Sequence, residues 1–135
     1  MYTVIIVGDD DTIRNGLSQR INWEAYGFEL LGTYQHGQQA LQAMQTAMQT
    51  AVPNLILSDV SMPIMDGLEL AEQVNQHRIP AKIILLTGFD EFHYARRAIK
   101  HQVHDFMMKP IMMPDVRSLL SRIRQEWDKQ HFFAR

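Results

Sequence analysis

The sequence predicts an α/β fold in which a doubly wound, five-stranded parallel sheet carries helices on both of its faces. Five short apolar runs recur along the chain, and a longer amphipathic stretch follows each of them. The runs are continuous and rich in Val, Ile and Leu, as expected for strands that are covered on both faces. Strand and helix alternating in this way favour a parallel sheet with crossover helices.

The strands are predicted, in chain order, at the runs YTVIIV, FELLGTY, NLILSDV, AKIILLT and VHDFMM. The stretches between them show helical spacing. After the first strand, for example, Ile13, Leu17 and Ile21 share one helix face. No repeat or low-complexity segment interrupts the pattern, so residues 1–128 are predicted to form one domain. Residues 129–135 are predicted to be a tail or the start of a linker to an output domain.

Several helix starts carry recognisable signals. Asp66 and Asp90 are predicted as N-caps, and Pro114 suits a first helical turn. The acidic cluster that follows the first strand contains two further candidates, Asp10 and Asp11, which could cap the first helix. For Asp11 this capping role is favoured over a role as a metal ligand.

Composition excludes several classes of protein and site. The 135 residues include no cysteine, so a disulfide framework or a thiolate metal site is impossible. The formal net charge of −2 gives no overall attraction to nucleic acid or to an anionic membrane. No apolar run approaches the ~20 residues that span a bilayer, and the N-terminus does not resemble a signal peptide. We therefore expect a cytoplasmic domain without membrane contact.

Polar residues stand directly after four of the five predicted strands, and these strand ends are where an open α/β sheet binds ligands. The residues are Asp9 and Asp10, then Ser58, Asp59 and Ser61, then Thr87, and finally Lys109. Carboxylates suit Mg²⁺, and a carboxylate beside the metal can act as a nucleophile. Lysine and a hydroxyl can bind phosphoryl oxygens. Each residue alone has a milder explanation, such as a surface charge for Lys109, but the combination predicts a phosphoryl site.

Three ordered motifs resemble the receiver domain of bacterial response regulators. They are LILSDVSMPIMDGLEL, IILLTGFDEFHYARRAI and DFMMKP. The resemblance covers residues 2 to about 128. The segments INWEAYGFELLG and TGFDEFHYA are most similar to receivers joined to AraC-type helix-turn-helix transcription factors. The resemblance implies a flavodoxin-like strand order of 2-1-3-4-5 and a cis Lys-Pro bond.

Site roles follow from this resemblance, position by position. Asp59 resembles the aspartate that is phosphorylated, Thr87 the switch hydroxyl, and Lys109 the lysine that pairs with the phosphoryl group. Phe106 stands at the switch aromatic position and lacks a hydroxyl. The implied donor is a phosphohistidine of a sensor histidine kinase.

The implied metal is Mg²⁺, held by Asp9, Asp59 and the backbone carbonyl of Ser61. This sequence departs from the family in one place, because receivers usually have two adjacent acids after the first strand and here the first of them is Gly8. Asp10 is a candidate for reaching the metal through water. We expect weaker Mg²⁺ binding and slower phosphorylation, with the core chemistry retained.

The function implied is a phosphoaccepting switch in a two-component system, which controls transcription through a separate DNA-binding output domain. Such a domain is not an enzyme, although it assists its own phosphorylation and dephosphorylation. One alternative stays open, a degenerate receiver that works without phosphorylation, and Gly8 supports it. Two interpretations of another class are disfavoured by the residues present. An aspartyl-phosphate phosphatase would need an acid at Ser61, and a flavodoxin would need a phosphate loop without acids.

A homodimer through the fourth helix, fifth strand and fifth helix is also implied. Basic residues lie on both helices, although a solvated face is their default explanation: Arg96, Arg97, Lys100, Arg117, Arg122 and Arg124. Pairing of these residues across the dimer with Asp105, Asp115 or Glu91 is a hypothesis.

Overall fold

The predicted fold class and strand order are confirmed. A computed structural model describes residues 1–46, 52–99 and 103–133. All strand pairings are parallel, and the five-stranded sheet has the order β2-β1-β3-β4-β5. The strands are β1 (Tyr2–Val7), β2 (Phe28–Tyr34), β3 (Leu55–Asp59), β4 (Lys82–Thr87) and β5 (Asp105–Met108).

Helices connect the strands as expected. They are α1 (Asp11–Arg20), α2 (Gly37–Thr46), α3 (Gly67–Gln76), α4 (Phe89–Ile99) and α5 (Met113–Phe133). A short 3-10 helix at Trp23–Tyr26, which the apolar pattern did not predict, leads into β2. None of the helices in the described ranges combines the length and hydropathy that a membrane crossing requires.

The central strands are buried on both faces, which explains their continuous apolar runs. In β1, Ile5 and Val7 face a cluster with α2 and α3, whereas Val4 and Ile6 face a cluster with α1 and α5. Every residue of β3 is buried, including its polar end, Asp59. Two apolar layers therefore hold the sheet rigidly and fix where the strand ends lie.

The helix starts are partly as predicted. Asp66 caps α3 in a capping box with Glu69. Asp10 caps α1, its Oδ1 accepting hydrogen bonds from the Thr12 and Ile13 amides at 2.9 and 3.3 Å. The capping role favoured for Asp11 is wrong, because that residue already lies in the first turn of α1.

At α4 the prediction for Asp90 is also wrong. The helix begins at Phe89, so Asp90 lies in its first turn. The amide of Gly88 donates instead to Oε1 of Glu91, which is how the side chain of a third helical residue usually serves the cap. Pro114 does lie in the first turn of α5, as predicted.

The end of α5 packs against the start of β1. Trp127 stacks edge-on against Tyr2 at a centroid distance of 5.1 Å, and the Tyr2 hydroxyl donates to Asp128 Oδ1 at 2.6 Å. Burial and the Asp128 carboxylate raise the pKa of Tyr2 to about 12. Residues up to 128 thus contact the body of the domain, while the boundary proposed there stays a prediction.

Candidate functional site

The carboxyl ends of β3, β4 and β5 bring three of the predicted site residues together. Asp59 ends β3, Thr87 ends β4, and Lys109 follows β5. Lys109 Nζ donates to Asp59 Oδ1 at 2.7 Å, and the Lys109 amide donates to the Thr87 carbonyl at 2.8 Å. The peptide bond between Lys109 and Pro110 is cis, as the resemblance implies.

Asp59 is buried, which disfavours the ionised form of its carboxyl group. Its side chain is only 7% exposed, whereas that of Lys109 is 28% exposed. Burial raises the pKa of Asp59, the Lys109 ammonium lowers it, and the nearby charges of Glu91 and Asp9 raise it further, with a net upward shift. Among the described residues, Lys109 supplies the cation that contacts Asp59.

The loop after Asp59 is held by a glycine with no room for a side chain. The Gly67 amide donates to the Val60 carbonyl at 2.9 Å. A Cβ at position 67 would fall on the carbonyl oxygen of Asp59 and press against Leu85. The glycine of the MDG motif thus permits the close approach that fixes the backbone of Asp59.

The metal-binding part of the predicted site is less complete. Asp9 is exposed, and the Asp10 carboxylate accepts the amides of α1. The Gly8 carbonyl accepts a hydrogen bond from Arg14 at 2.5 Å, and a Cβ at Gly8 would lie 3.6 Å from the Asp59 Cβ. The described residues contain no group of three or more His, Asp or Glu side chains that could hold a metal.

Two carboxylates and a carbonyl nevertheless fit Mg²⁺, which keeps several waters and needs few protein ligands. The ends of β1 and β3 lie close together, since a Cβ at Gly8 would lie 3.6 Å from the Asp59 Cβ, and the Asp9 charge is the smallest of the causes that raise the pKa of Asp59. Acids from two strand ends therefore share one space. Their clustering is explained if a divalent cation joins them.

Glu91 belongs to this site, although it was not predicted as a site residue. Its Oε2 accepts a hydrogen bond from the Ser61 hydroxyl, and its Oε1 accepts one from the Gly88 amide at 3.1 Å. The Ser61 hydroxyl, the Gly88 amide and the Lys109 charge together lower the pKa of Glu91. The available signal was its position in the first turn of α4, four residues after Thr87. The pairing of Glu91 across a dimer stays a hypothesis, and within the chain its carboxylate is engaged by Ser61 and Gly88.

Phe106 is half-buried and packs on α4. Its ring meets that of Phe92 edge-on, with centroids 5.5 Å apart and planes at 76°. The neighbouring Asp105 pairs with Arg122 at 2.8 Å within the same chain, and the pairing of Asp105 across a dimer stays a hypothesis. Lys100 and the side chain of Arg97, which belong to the basic cluster predicted on α4, lie outside the described residues.

Comparison with known proteins agrees with this geometry. The family model described as the response regulator receiver domain matches residues 4–124. An uncharacterized transcriptional regulatory protein of Bacillus subtilis, YesN, is 34% identical over 96% of this chain and 34% of its own length. The transcriptional regulatory protein HptR of Staphylococcus aureus is 31% identical over 91% of this chain and 46% of its own length. The chain thus spans a third to a half of these relatives.

Solved structures with the same fold include receivers of regulators of the predicted type. The receiver domain of AraT, a response regulator from Geobacillus stearothermophilus, has a TM-score of 0.83 and 30% identity, covering 96% of this chain and 98% of that one. A two-component transcriptional regulator AraC from Clostridium phytofermentans has a TM-score of 0.78 and 30% identity, with 93% and 94% covered. The chain therefore belongs to the response regulator receiver domain family and is similar to receivers of AraC-type two-component regulators.

Proposed function

We propose that this receiver domain takes a phosphoryl group onto Asp59 in a Mg²⁺-dependent reaction and changes conformation as a result. The observation that carries the proposal is the contact between Lys109 Nζ and Asp59 Oδ1 at 2.7 Å, made where Asp59 is buried. A buried carboxylate held by one cation and exposed to repulsion from two acids is suited to act as a nucleophile toward a metal-bound phosphoryl group.

The donor proposed is a phosphohistidine of a sensor histidine kinase. Lys109 holds Oδ1, so we assign the attack to Asp59 Oδ2. A bond forms between this oxygen and phosphorus, and the phosphorus–nitrogen bond of the donor breaks. The bonding electrons leave with the imidazole, which takes a proton from water. Lys109 stays beside the oxygens on which negative charge spreads during the transfer.

Asp9, Asp59 and the Ser61 carbonyl would hold the Mg²⁺, with Asp10 a candidate only through water. When bound, the ion neutralises charge on the phosphoryl oxygens and on the crowded carboxylates. Asp10 already serves α1 as its N-cap, which leaves Asp9 as the main acid on the β1 side. Because Gly8 contributes no carboxylate, we expect Mg²⁺ to bind more weakly than in receivers with two acids there.

The switch proposed begins at Thr87. Its hydroxyl now lies 3.2 Å from the Gly88 carbonyl, and a phosphoryl group with a charge of ≈ −1.5 to −2 is a stronger acceptor. Turning Thr87 toward that group would leave space behind it, into which Phe106 and Phe92 could repack. The equilibrium would then shift toward a second arrangement of the α4–β5–α5 face, through which we propose that two copies dimerise.

The kinase and output partners rest on chemistry and on the named relatives. Ile64, in the loop after β3, and Phe89, the first residue of α4, are 74% and 77% exposed at the edge where Asp59 lies, and we propose that a kinase domain docks there. YesN and HptR are transcriptional regulatory proteins longer than this chain, which supports DNA binding through a separate output domain. A cytoplasmic location stays a prediction. A receiver that works without phosphorylation is not favoured, because Asp59, Thr87 and Lys109 are all present.

Intact-mass measurement after incubation with acetyl phosphate and Mg²⁺ tests the proposal. The wild-type chain should gain the mass of one phosphoryl group, and Asp59→Asn should gain none. Asp115→Asn, which changes an exposed carboxylate on α5, should behave like the wild type. A phosphoryl gain in Asp59→Asn, or none in the wild type, would contradict the proposal.

A further inference from the structure

Glu91 joins the two loops that border Asp59. One of its carboxylate oxygens accepts the hydroxyl of Ser61, which lies two residues after Asp59. The other accepts the amide of Gly88, which directly follows Thr87. A single half-buried side chain thus bridges the β3–α3 loop to the first turn of α4 at the edge of the site.

Both groups that Glu91 binds are donors of the kind that phosphoryl oxygens accept. A hydroxyl and a backbone amide at the border of Asp59 can serve either the carboxylate or an incoming anion, but not both fully. The Glu91 carboxylate, which lies between the two loops that border Asp59, also repels further negative charge placed there. The carboxylate therefore occupies, in the unphosphorylated chain, part of the surroundings that the phosphoryl group would use.

The same helical turn carries the aromatic contact of the switch. Phe92 follows Glu91 directly, and its ring packs edge-on against Phe106 at 5.5 Å. The Phe92 amide donates to the Gly88 carbonyl at 3.1 Å, so the bridge and the aromatic pair share one short segment of backbone. Releasing Glu91 would loosen the turn that positions Phe92.

We propose that Glu91 is a positioning residue that competes with the phosphoryl group for the donors beside Asp59 and holds the first turn of α4 until that group displaces it. This inference rests on the proposed phosphorylation of Asp59. It adds a second connection from the site to the α4–β5–α5 face, which runs through Glu91 and Phe92 and does not require a hydroxyl on residue 106.

The holding role is tested without any phosphoryl donor, by amide hydrogen exchange followed by NMR. Glu91→Ala should speed exchange of the Gly88 amide by about fivefold, the value expected for loss of one hydrogen bond worth ~1 kcal/mol. Asp90→Asn removes an exposed carboxylate from the same turn and should leave that exchange within about twofold of the wild type. Unchanged exchange in Glu91→Ala would overturn the holding role.

The competing role is tested with beryllofluoride and Mg²⁺ as a stand-in for the phosphoryl group. Glu91→Gln keeps the shape and removes the charge, so the probe should bind about fivefold more tightly, whereas Asp90→Asn should bind it as the wild type does. Equal affinity in Glu91→Gln and wild type would overturn the inference and leave the proposed function standing. Absence of binding in every chain would overturn both the competing role and the proposed phosphorylation.

Discussion

The two sides of the candidate site differ in how far the folded chain has prepared them. The phosphoryl side, defined by Asp59, Thr87 and Lys109, is buried or half-buried and tied together by hydrogen bonds of 2.7 and 2.8 Å. The metal side, defined by Gly8, Asp9, Asp10 and Ser61, has two exposed acids, and Gly8 stands where receivers usually have another acid.

This difference indicates that phosphoryl transfer and Mg²⁺ binding depend on different parts of the fold. The phosphoryl side is set by strand register inside a packed core, so its geometry exists before any ligand arrives. The metal side consists of loop residues, one of which already serves as a helix cap. Changes on the first side should therefore alter the chemistry, while changes on the second should alter mainly Mg²⁺ affinity and local stability.

The largest effect is expected for Lys109→Ala. Loss of the ammonium removes the group that stabilises charge during transfer, which should slow phosphorylation by acetyl phosphate by about 100-fold. Mg²⁺ affinity, measured by calorimetry, should change far less. Lys82→Ala, an exposed lysine at the start of β4, is the matched control. Equal slowing in both variants would mean that the phosphoryl side is not organised around Lys109.

Gly8→Asp adds a carboxylate to the metal side and should increase its affinity for Mg²⁺. Space exists for the new side chain, since its Cβ would lie 3.6 Å from the nearest heavy atom beyond its chain neighbours, the Asp59 Cβ. A further carboxylate beside Asp59 should tighten Mg²⁺ binding on the order of tenfold, because the charge of the ligand set rises. Gly8→Asn supplies the same shape without the charge. If titration calorimetry gave Gly8→Asp the same Mg²⁺ affinity as the wild type, position 8 would not border the metal site.

Asp10→Ala should affect stability more than metal binding. The variant loses the N-cap of α1, which should lower the free energy of unfolding by about 1 kcal/mol in urea titrations. Asp10→Ser keeps a capping oxygen and should recover most of this loss. Mg²⁺ affinity should stay close to the wild-type value in Asp10→Ser. A marked fall there would show that Asp10 reaches the metal after all.

The smallest effect expected is a pH-dependent gain of stability in Asp59→Asn. The fold raises the pKa of Asp59 above 3.8, so the stability associated with its protonated form is lost as pH rises through the pKa of the folded state. At neutral pH the neutral amide should therefore give the higher urea midpoint. The difference in urea midpoint between Asp59→Asn and the wild type should narrow as pH falls toward 3.8. Glu29→Gln, on edge strand β2, provides the control, and a gap that widened in acid would contradict the assigned shift.

The fold could be predicted because strands that are buried on both faces appear in the sequence as continuous apolar runs. The runs predicted for β1 and β2 coincide with the observed strands, and the capping signal at Asp66 marks the start of α3. The site was predicted as far as strand ends position residues, which is why Asp59 and Lys109 lie together.

The side-chain contacts around the site could not be predicted, because they depend on the direction of each side chain, which the local sequence does not determine. Asp90 and Glu91 are adjacent acids in one helical turn, yet only Glu91 reaches the Ser61 hydroxyl. Likewise, Asp10 and Asp11 both looked able to cap α1, and the backbone angle at Asp10 decided between them. The intrachain pair between Asp105 and Arg122 depends on the packing of β5 beside α5, which no local pattern shows.

The most direct test of the central claim is to locate the modified residue after phosphorylation. Acetyl phosphate and Mg²⁺ are added to the wild-type chain, the acyl phosphate is reduced with borohydride, and the peptides are sequenced by mass spectrometry. Hydride reduction converts a phosphorylated aspartate to homoserine with release of phosphate. We predict homoserine at position 59. Reduction at Asp9, Asp10 or any other carboxylate, with Asp59 unchanged, would contradict the account.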